Sequence, residues 1–161
     1  IGKSMGNIKN DNGVIMETNN EVLLSTIQKV ENFLKEKYPS YIKFDDNRYT
    51  ITRGSTAVMI LIRPYTEDDT IVEFVSNMVF GANISPELMN FLLRKNAELH
   101  FGAFGLLFDG TIVFTYSIAG KNLDENEFVT ALNSVAIIAD YYDNEIIAMA
   151  GGKTAMETLE L

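Results

Sequence analysis

The chain has 161 residues, 47 % of them apolar and 22 % charged, with a net charge of −9 and no cysteine. That length is enough for one domain with a sizeable core. The absent thiols exclude disulfides, thiolate catalysis and cysteine-ligated zinc. The acidity and the scattered Lys and Arg weigh against nucleic acid and anionic lipid as partners. The first residues contain no apolar signal region, and no apolar run approaches the ~20 residues that a membrane span needs. A reducing cytoplasm is the expected setting.

Residues 1–17 are rich in Gly, Asn and Lys and are expected to form a flexible leader, in which Val14, Ile15 and Met16 are the one apolar patch. Thr18 and Glu21 have the spacing of a capping box, so a first helix is expected from Thr18. Leu23, Ile27, Val30 and Leu34 recur along it at helical spacing, and Tyr38-Pro39 ends it. Three β-rich runs follow, separated by short polar turns at Asp45-Asp46-Asn47, Gly54-Ser55 and Thr66 to Asp69. They predict an extended piece and a first strand between Tyr41 and Thr52, a second strand over Thr56–Tyr65 and a third over Thr70–Phe80, arranged as an antiparallel meander.

Ser85-Pro86-Glu87 is the opening of a second helix, which runs to Leu99. The turn at Asp109-Gly110 joins a fourth strand, His100–Phe108, to a fifth, Thr111–Ala119. Asp124 and Glu127 form another capping box, and the last helix runs from there to Ala150, with Gly151-Gly152 as its stop. Residues 153–161 are expected to be a tail or a short helix. The order α-β-β-β-α-β-β-α segregates helices from antiparallel strands, which is the α+β class, with residues 18–152 as a single domain.

Strand alternation leaves one feature that the fold alone does not explain. The second strand is apolar on both faces: Val58, Ile60 and Ile62 on one, Ala57, Met59 and Leu61 on the other. The third places Val72, Phe74, Met78 and Phe80 against Ile71, Val75 and Val79. A sheet with helices on one side should be polar on the other. Either the long helices wrap both sides of the central strands, or a homodimer mate or extended peptide covers the second face. Met59, Leu61, Val75, Val79 and Val113 are the candidate contact residues. A small-ligand sensor is the alternative, with a closed pocket among Phe101, Phe104, Phe114 and Tyr116.

No stretch fixes a chemistry. His100 is the single histidine and has no Gly-x-Ser-x-Gly elbow to pair with. Gly2-Lys3-Ser4 lacks the earlier glycine of a phosphate loop. Asp140 and Asp143 lie one helical turn apart without a calcium-loop pattern. Asp140 interrupts an apolar run, which suits a hydrogen bond to a loop or opposing backbone.

The run Asn96-Ala97-Glu98-Leu99, then Phe101-Gly102-Ala103-Phe104, the Asp-Gly hairpin, Leu123-Asp124-x-Asn126-Glu127, Ala139-Asp140-Tyr141-Tyr142-Asp143 and Gly151-Gly152 resembles the YbjN-like proteins, which are grouped with type III secretion chaperone-like domains. The order of elements is similar to that of the small class I secretion chaperones. The resemblance implies a homodimeric module that binds a protein or an extended peptide, without catalysis. It carries over no catalytic residue, no metal and no cofactor. YbjN-like proteins are often described as regulators of sensory transduction.

Overall fold

The computed structural model describes residues 7–9, 15–17 and 20–159. Thr18, and with it the expected capping box to Glu21, lies outside the described residues. So does most of the expected leader. Within it, β1 (Asn7–Lys9) and β2 (Ile15–Glu17) pair antiparallel as a separate two-stranded sheet.

Helix α1 spans Asn20–Lys37. Four strands follow it: β3 (Ile42–Asp45), β4 (Arg48–Arg53), β5 (Thr56–Pro64) and β6 (Thr70–Phe80). Helix α2, Pro86–Glu98, begins as the sequence indicates, with the Ser85 hydroxyl accepting from the Leu88 amide at 3.2 Å. Strands β7 (Ala103–Leu106) and β8 (Ile112–Ala119) form the hairpin. Helix α3, Glu125–Ala150, is capped by Asp124 and Glu127, each side chain bonded to the other's backbone N–H. The C-terminal segment is not a frayed tail: β9 (Lys153–Thr154) leads into α4 (Ala155–Leu159).

The main sheet is antiparallel throughout, in the order β3-β4-β5-β6-β8-β7, with β9 added beside the end of β6. Its inner face carries Tyr49, Ile51, Val58, Ile60, Ile62, Val72, Phe74, Ile112 and Phe114, all buried. Helices α1 and α3 pack across this face, and α2 closes it beside β7. Phe128 of α3 lies 5.6 Å from both Phe33 and Phe74, tying α1, α3 and the sheet into one core. Each such fully buried side chain contributes about 1.5–3 kcal/mol of transfer free energy. The long helices therefore do not wrap both sides. Among the described helices, the short α4 is the one that reaches the outer face, where it meets β5 and β6.

Two expected strands are corrected. The fourth does not start at His100, because Gly102 at φ +96° turns the chain and pairing begins at Ala103. A side chain there would also strike the Phe114 ring at 2.6 Å. At the other end Leu107 to Gly110 forms the turn, closed by a Gly110 N–H to Leu107 carbonyl bond of 2.9 Å, with Gly110 in the left-handed region. The second correction is a β-bulge between Asn77 and Val79, which reverses the alternation at the end of β6. Met78 and Val79 are both buried in the core, while Phe80 is turned to the outer side.

Candidate functional site

The outer face is read along its register. Ile42, Thr50, Met59, Val75, Thr115 and Ala103 stand side by side across six strands. The next row carries Arg48, Leu61, Glu73 and Ser117. Met59, Leu61 and Val75 are half-buried, as expected of side chains flanked within a sheet but lacking a layer above them. Ile42 and Phe44, on the outermost strand, are 52 % and 58 % exposed. Phe44 sits in a second bulge of β3, with the Arg48 guanidinium 5.7 Å from its ring. An Arg63–Glu73 ion pair at 3.0 Å borders the apolar patch.

Two of the five residues expected on this surface are not available there. Val79 is fully buried, because the bulge swings it into the core. Val113 is 3 % exposed: it stands between Asn77 and Gly105, next to the region crossed by the C-terminal segment. Ile42 and Phe44 take their place. The alternation of a short four-residue strand was too brief to single them out.

The four rings expected to enclose a ligand pocket pack on each other instead. Phe104 meets Phe114 edge-on at 5.0 Å and Tyr142 at 5.6 Å, and Phe101 meets Tyr116 at 5.9 Å. Phe104 and Phe114 belong to the core. Phe101 instead lines an open groove of about 400 Å³ with Leu99, Ile137 and Ile138, and His100 is at its rim.

The two edges of the sheet differ. At β7, the Asn96 side chain of α2 accepts from the Phe104 amide at 2.7 Å and donates to the Phe104 carbonyl at 3.1 Å. Both groups therefore point away from β8, and the Asn96 amide takes the place of a neighbouring strand. At the other edge, β3 is exposed along its whole length. It is fastened from the inner side, where the Glu31 carboxylate of α1 accepts from the Tyr49 hydroxyl at 2.7 Å and from Lys43 at 3.1 Å. These bonds, with Lys35, hold the Glu31 carboxyl down to about 2 against the cost of burial. Burial and the same contact push the Tyr49 phenol up.

A further cluster of exposed apolar residues lies beside α2. Met89, Leu93 and Leu106 line a cleft of about 150 Å³, and the hairpin tip next to it carries Leu107 and the fully exposed Phe108. Asp140 and Asp143 act as a latch. The Asp140 carboxylate accepts from the Ser55 amide and hydroxyl, each at 3.1 Å, and Ser55 Oγ also reaches the buried Asp143. This fastens the β4–β5 turn to α3. Among the described residues, no three potential metal ligands come together.

The molecule is thus a sheet with three long helices on one side, one plugged edge and an outer face that carries an apolar patch bordered by polar residues. The sequence agrees: residues 26–158 match the profile of the family described as T3SS (YopN, CesT) and YbjN peptide-binding chaperone 1, TY-Chap1. The chain belongs to this family. The TY-Chap1 fold is also found in a solved structure described as the crystal structure of the ExsC-ExsE complex. One chain of it superimposes with a TM-score of 0.60 and 13 % identity over 77 % of this chain and 95 % of its own length. At that identity the likeness shows the fold. No curated protein matches. No helix among the described residues is long and apolar enough to cross a membrane.

Proposed function

We propose that the chain is a non-catalytic, homodimeric peptide-binding module whose outer sheet face receives an extended segment of a partner protein. The observation that carries this reading is the row Ile42-Thr50-Met59-Val75, apolar but for Thr50, with Leu61 and Phe44 beside it, on a face that the three long helices leave uncovered. The free β3 edge offers backbone groups to the partner, and the alternate side chains offer selectivity. Met59 adapts to varied contacts through its flexible thioether. Membership in a peptide-binding chaperone family supports the same conclusion. The homodimer is assigned to the other apolar cluster, Met89, Leu93, Leu106, Leu107 and Phe108, which leaves the sheet face free in both copies.

The experiment is selection of a displayed random peptide library against the chain, followed by titration of the selected peptides. Met59→Asp and Leu61→Asp, shown to be folded by circular dichroism, should each weaken binding by about tenfold or more. Unchanged affinity in both variants refutes the face. Light scattering should show a dimer in the native chain and a monomer in Leu93→Asp.

A small-ligand role is the rival reading. It is supported by the groove of about 400 Å³ lined by Leu99, Phe101, Ile137 and Ile138, which is of the size that small molecules occupy. A metabolite that raises the melting temperature of the native chain but not of Ile137→Asp favours it.

A further inference from the structure

The C-terminal segment occupies one end of the outer face, and its fit there is poor. Strand β9 pairs with the end of β6 through two residues only, Thr154 opposite Val79 and Lys153 opposite Phe80. Helix α4 then lies against β5 and β6 and borders an open cleft of about 200 Å³. The floor of the cleft includes Met59, Val75, Phe80 and Ala57, and its roof is Ala155 and Thr158. Small side chains thus face a largely apolar floor and leave part of it open, so the contacts that a larger apolar side chain would make there are not made. Met59 and Val75 belong both to this cleft and to the uncovered patch that continues to β3.

The segment is also built to leave as a unit. Apart from the short ladder to β6, the bonds its side chains make are internal: the Thr154 amide donates to Glu157 at 2.8 Å, the Glu157 amide donates to the Thr154 hydroxyl at 3.3 Å, and the Thr158 hydroxyl donates to the Thr154 carbonyl at 2.9 Å. Detachment therefore does not break these bonds. Of residues 153–158, Thr154 is the one that is buried. Gly151 and Gly152, both left-handed at φ +72° and +95°, form the joint with α3.

Resting on the docking face proposed above, we infer that residues 153–159 are a displaceable strap. It mimics the incoming ligand, and a partner segment replaces it by pairing two residues with Val79 and Phe80 and by placing a bulky apolar side chain where Ala155 stands. The tether gives the strap a high local concentration, of the order of mM, so it holds its seat despite the imperfect fit. A partner must exceed that concentration effect with better filling of the cleft. The strap thereby sets a threshold that excludes weakly fitting segments.

The test uses the full chain and a labelled synthetic peptide of residues 151–161. Phe80→Cys with Lys153→Cys, at directly paired positions in a chain that has no other cysteine, locks the strap on oxidation. Ala155→Asp releases it by setting a charge over the apolar floor. The released chain should bind the peptide about tenfold or more tighter than the oxidised locked chain, and reduction of the lock should restore binding. A peptide carrying the A155L change should bind the released chain about tenfold tighter than the native peptide, because the added carbons fill the cleft. Equal binding by locked and released chains overturns the strap, and equal or weaker binding of the A155L peptide overturns the cleft as its seat. The two proposals fail separately. If library-selected peptides are lost in Met59→Asp while the lock has no effect, only the strap is wrong. If the lock works but Leu61→Asp, on the outer face and outside the cleft, retains every library-selected peptide in the released chain, only the wider face is wrong.

Discussion

Replacement of Asn96 tests the account of the sheet edge most directly. Its side chain makes two bonds with the backbone of Phe104, at 2.7 and 3.1 Å, in a partly buried setting. Each such bond contributes about 1 kcal/mol net, so Asn96→Ala should cost about 2 kcal/mol. For a chain of this length that lowers the melting temperature by about 4–8 °C. Asn96→Asp separates the two bonds. It keeps the acceptor for the Phe104 amide but sets a carboxylate oxygen against the Phe104 carbonyl. It should be at least as costly at neutral pH, and should recover below pH ~4, where a protonated acid can donate again. Urea unfolding gives the stability, and hydrogen exchange gives the protection of the Phe104 amide. The variants should also associate more readily, because the free edge then extends from Leu106 to Phe104. If both variants lose less than about 0.5 kcal/mol and the Phe104 amide stays protected, Asn96 does not close this edge.

Other consequences follow from buried polar groups. The Ser76 hydroxyl is fully buried on β6 and has no hydrogen-bond partner among the described residues, so Ser76→Ala should stabilise by about 1 kcal/mol, read from the urea midpoint. The Glu31 carboxyl sits at about 2 in the folded chain against an ordinary 4.5, so its contribution is complete above pH 4.5 and is lost as pH falls toward 2. Glu31 keeps partial contact with solvent, so the amount is about 1 kcal/mol, and Glu31→Gln should flatten stability over that pH window. Gly54→Ala should cost more than about 2 kcal/mol, because φ is +55° and the new methyl would lie inside the Asp140 carboxylate. The melting temperature of that variant should fall accordingly, and a native-like value would show that the Ser55 latch is not tight.

Much of this fold is written locally. The Asp124–Glu127 box and the Ser85-Pro86 start form as their spacing indicates, because capping needs only residues a turn apart. Alternation in β5 correctly separates Val58, Ile60 and Ile62 from Met59 and Leu61. Asp140 bonds a loop, as its place in an apolar run suggested. What the sequence conceals is non-local. The bulge at Met78 depends on the pairing of β6 with β8, and it exchanged the faces of Val79 and Phe80. The closing of the β7 edge depends on where α2 comes to rest, so the sequence marks Asn96 only as part of the run Asn96-Ala97-Glu98-Leu99 and not as the residue that caps a strand edge. The pairing of β9 is not legible in the sequence because its partner strand lies over seventy residues earlier in the chain.

Under the proposed function, the two edges and the two faces together let the molecule recruit a partner without polymerising. A chain with an apolar outer face and two free edges would pair with copies of itself indefinitely. Here Asn96 removes one edge at Phe104, and the C-terminal segment covers part of the face. The remaining edge, β3, is bulged after Lys43, and its partner's Tyr49 is tied back to α1 through Glu31. A bulged, charged strand resists a long regular match but accepts a short one, because only a few ladder bonds are needed. A short match alone is weak. Under the proposed function it becomes specific when side chains of the same segment reach the Met59–Val75 row and displace the C-terminal segment, so that affinity would depend on edge, patch and cleft being satisfied by one ligand at once. Loss of any one of the three should therefore weaken binding by more than its own contacts explain, a non-additivity that a double-mutant cycle between Phe44→Ala and Met59→Ala would measure.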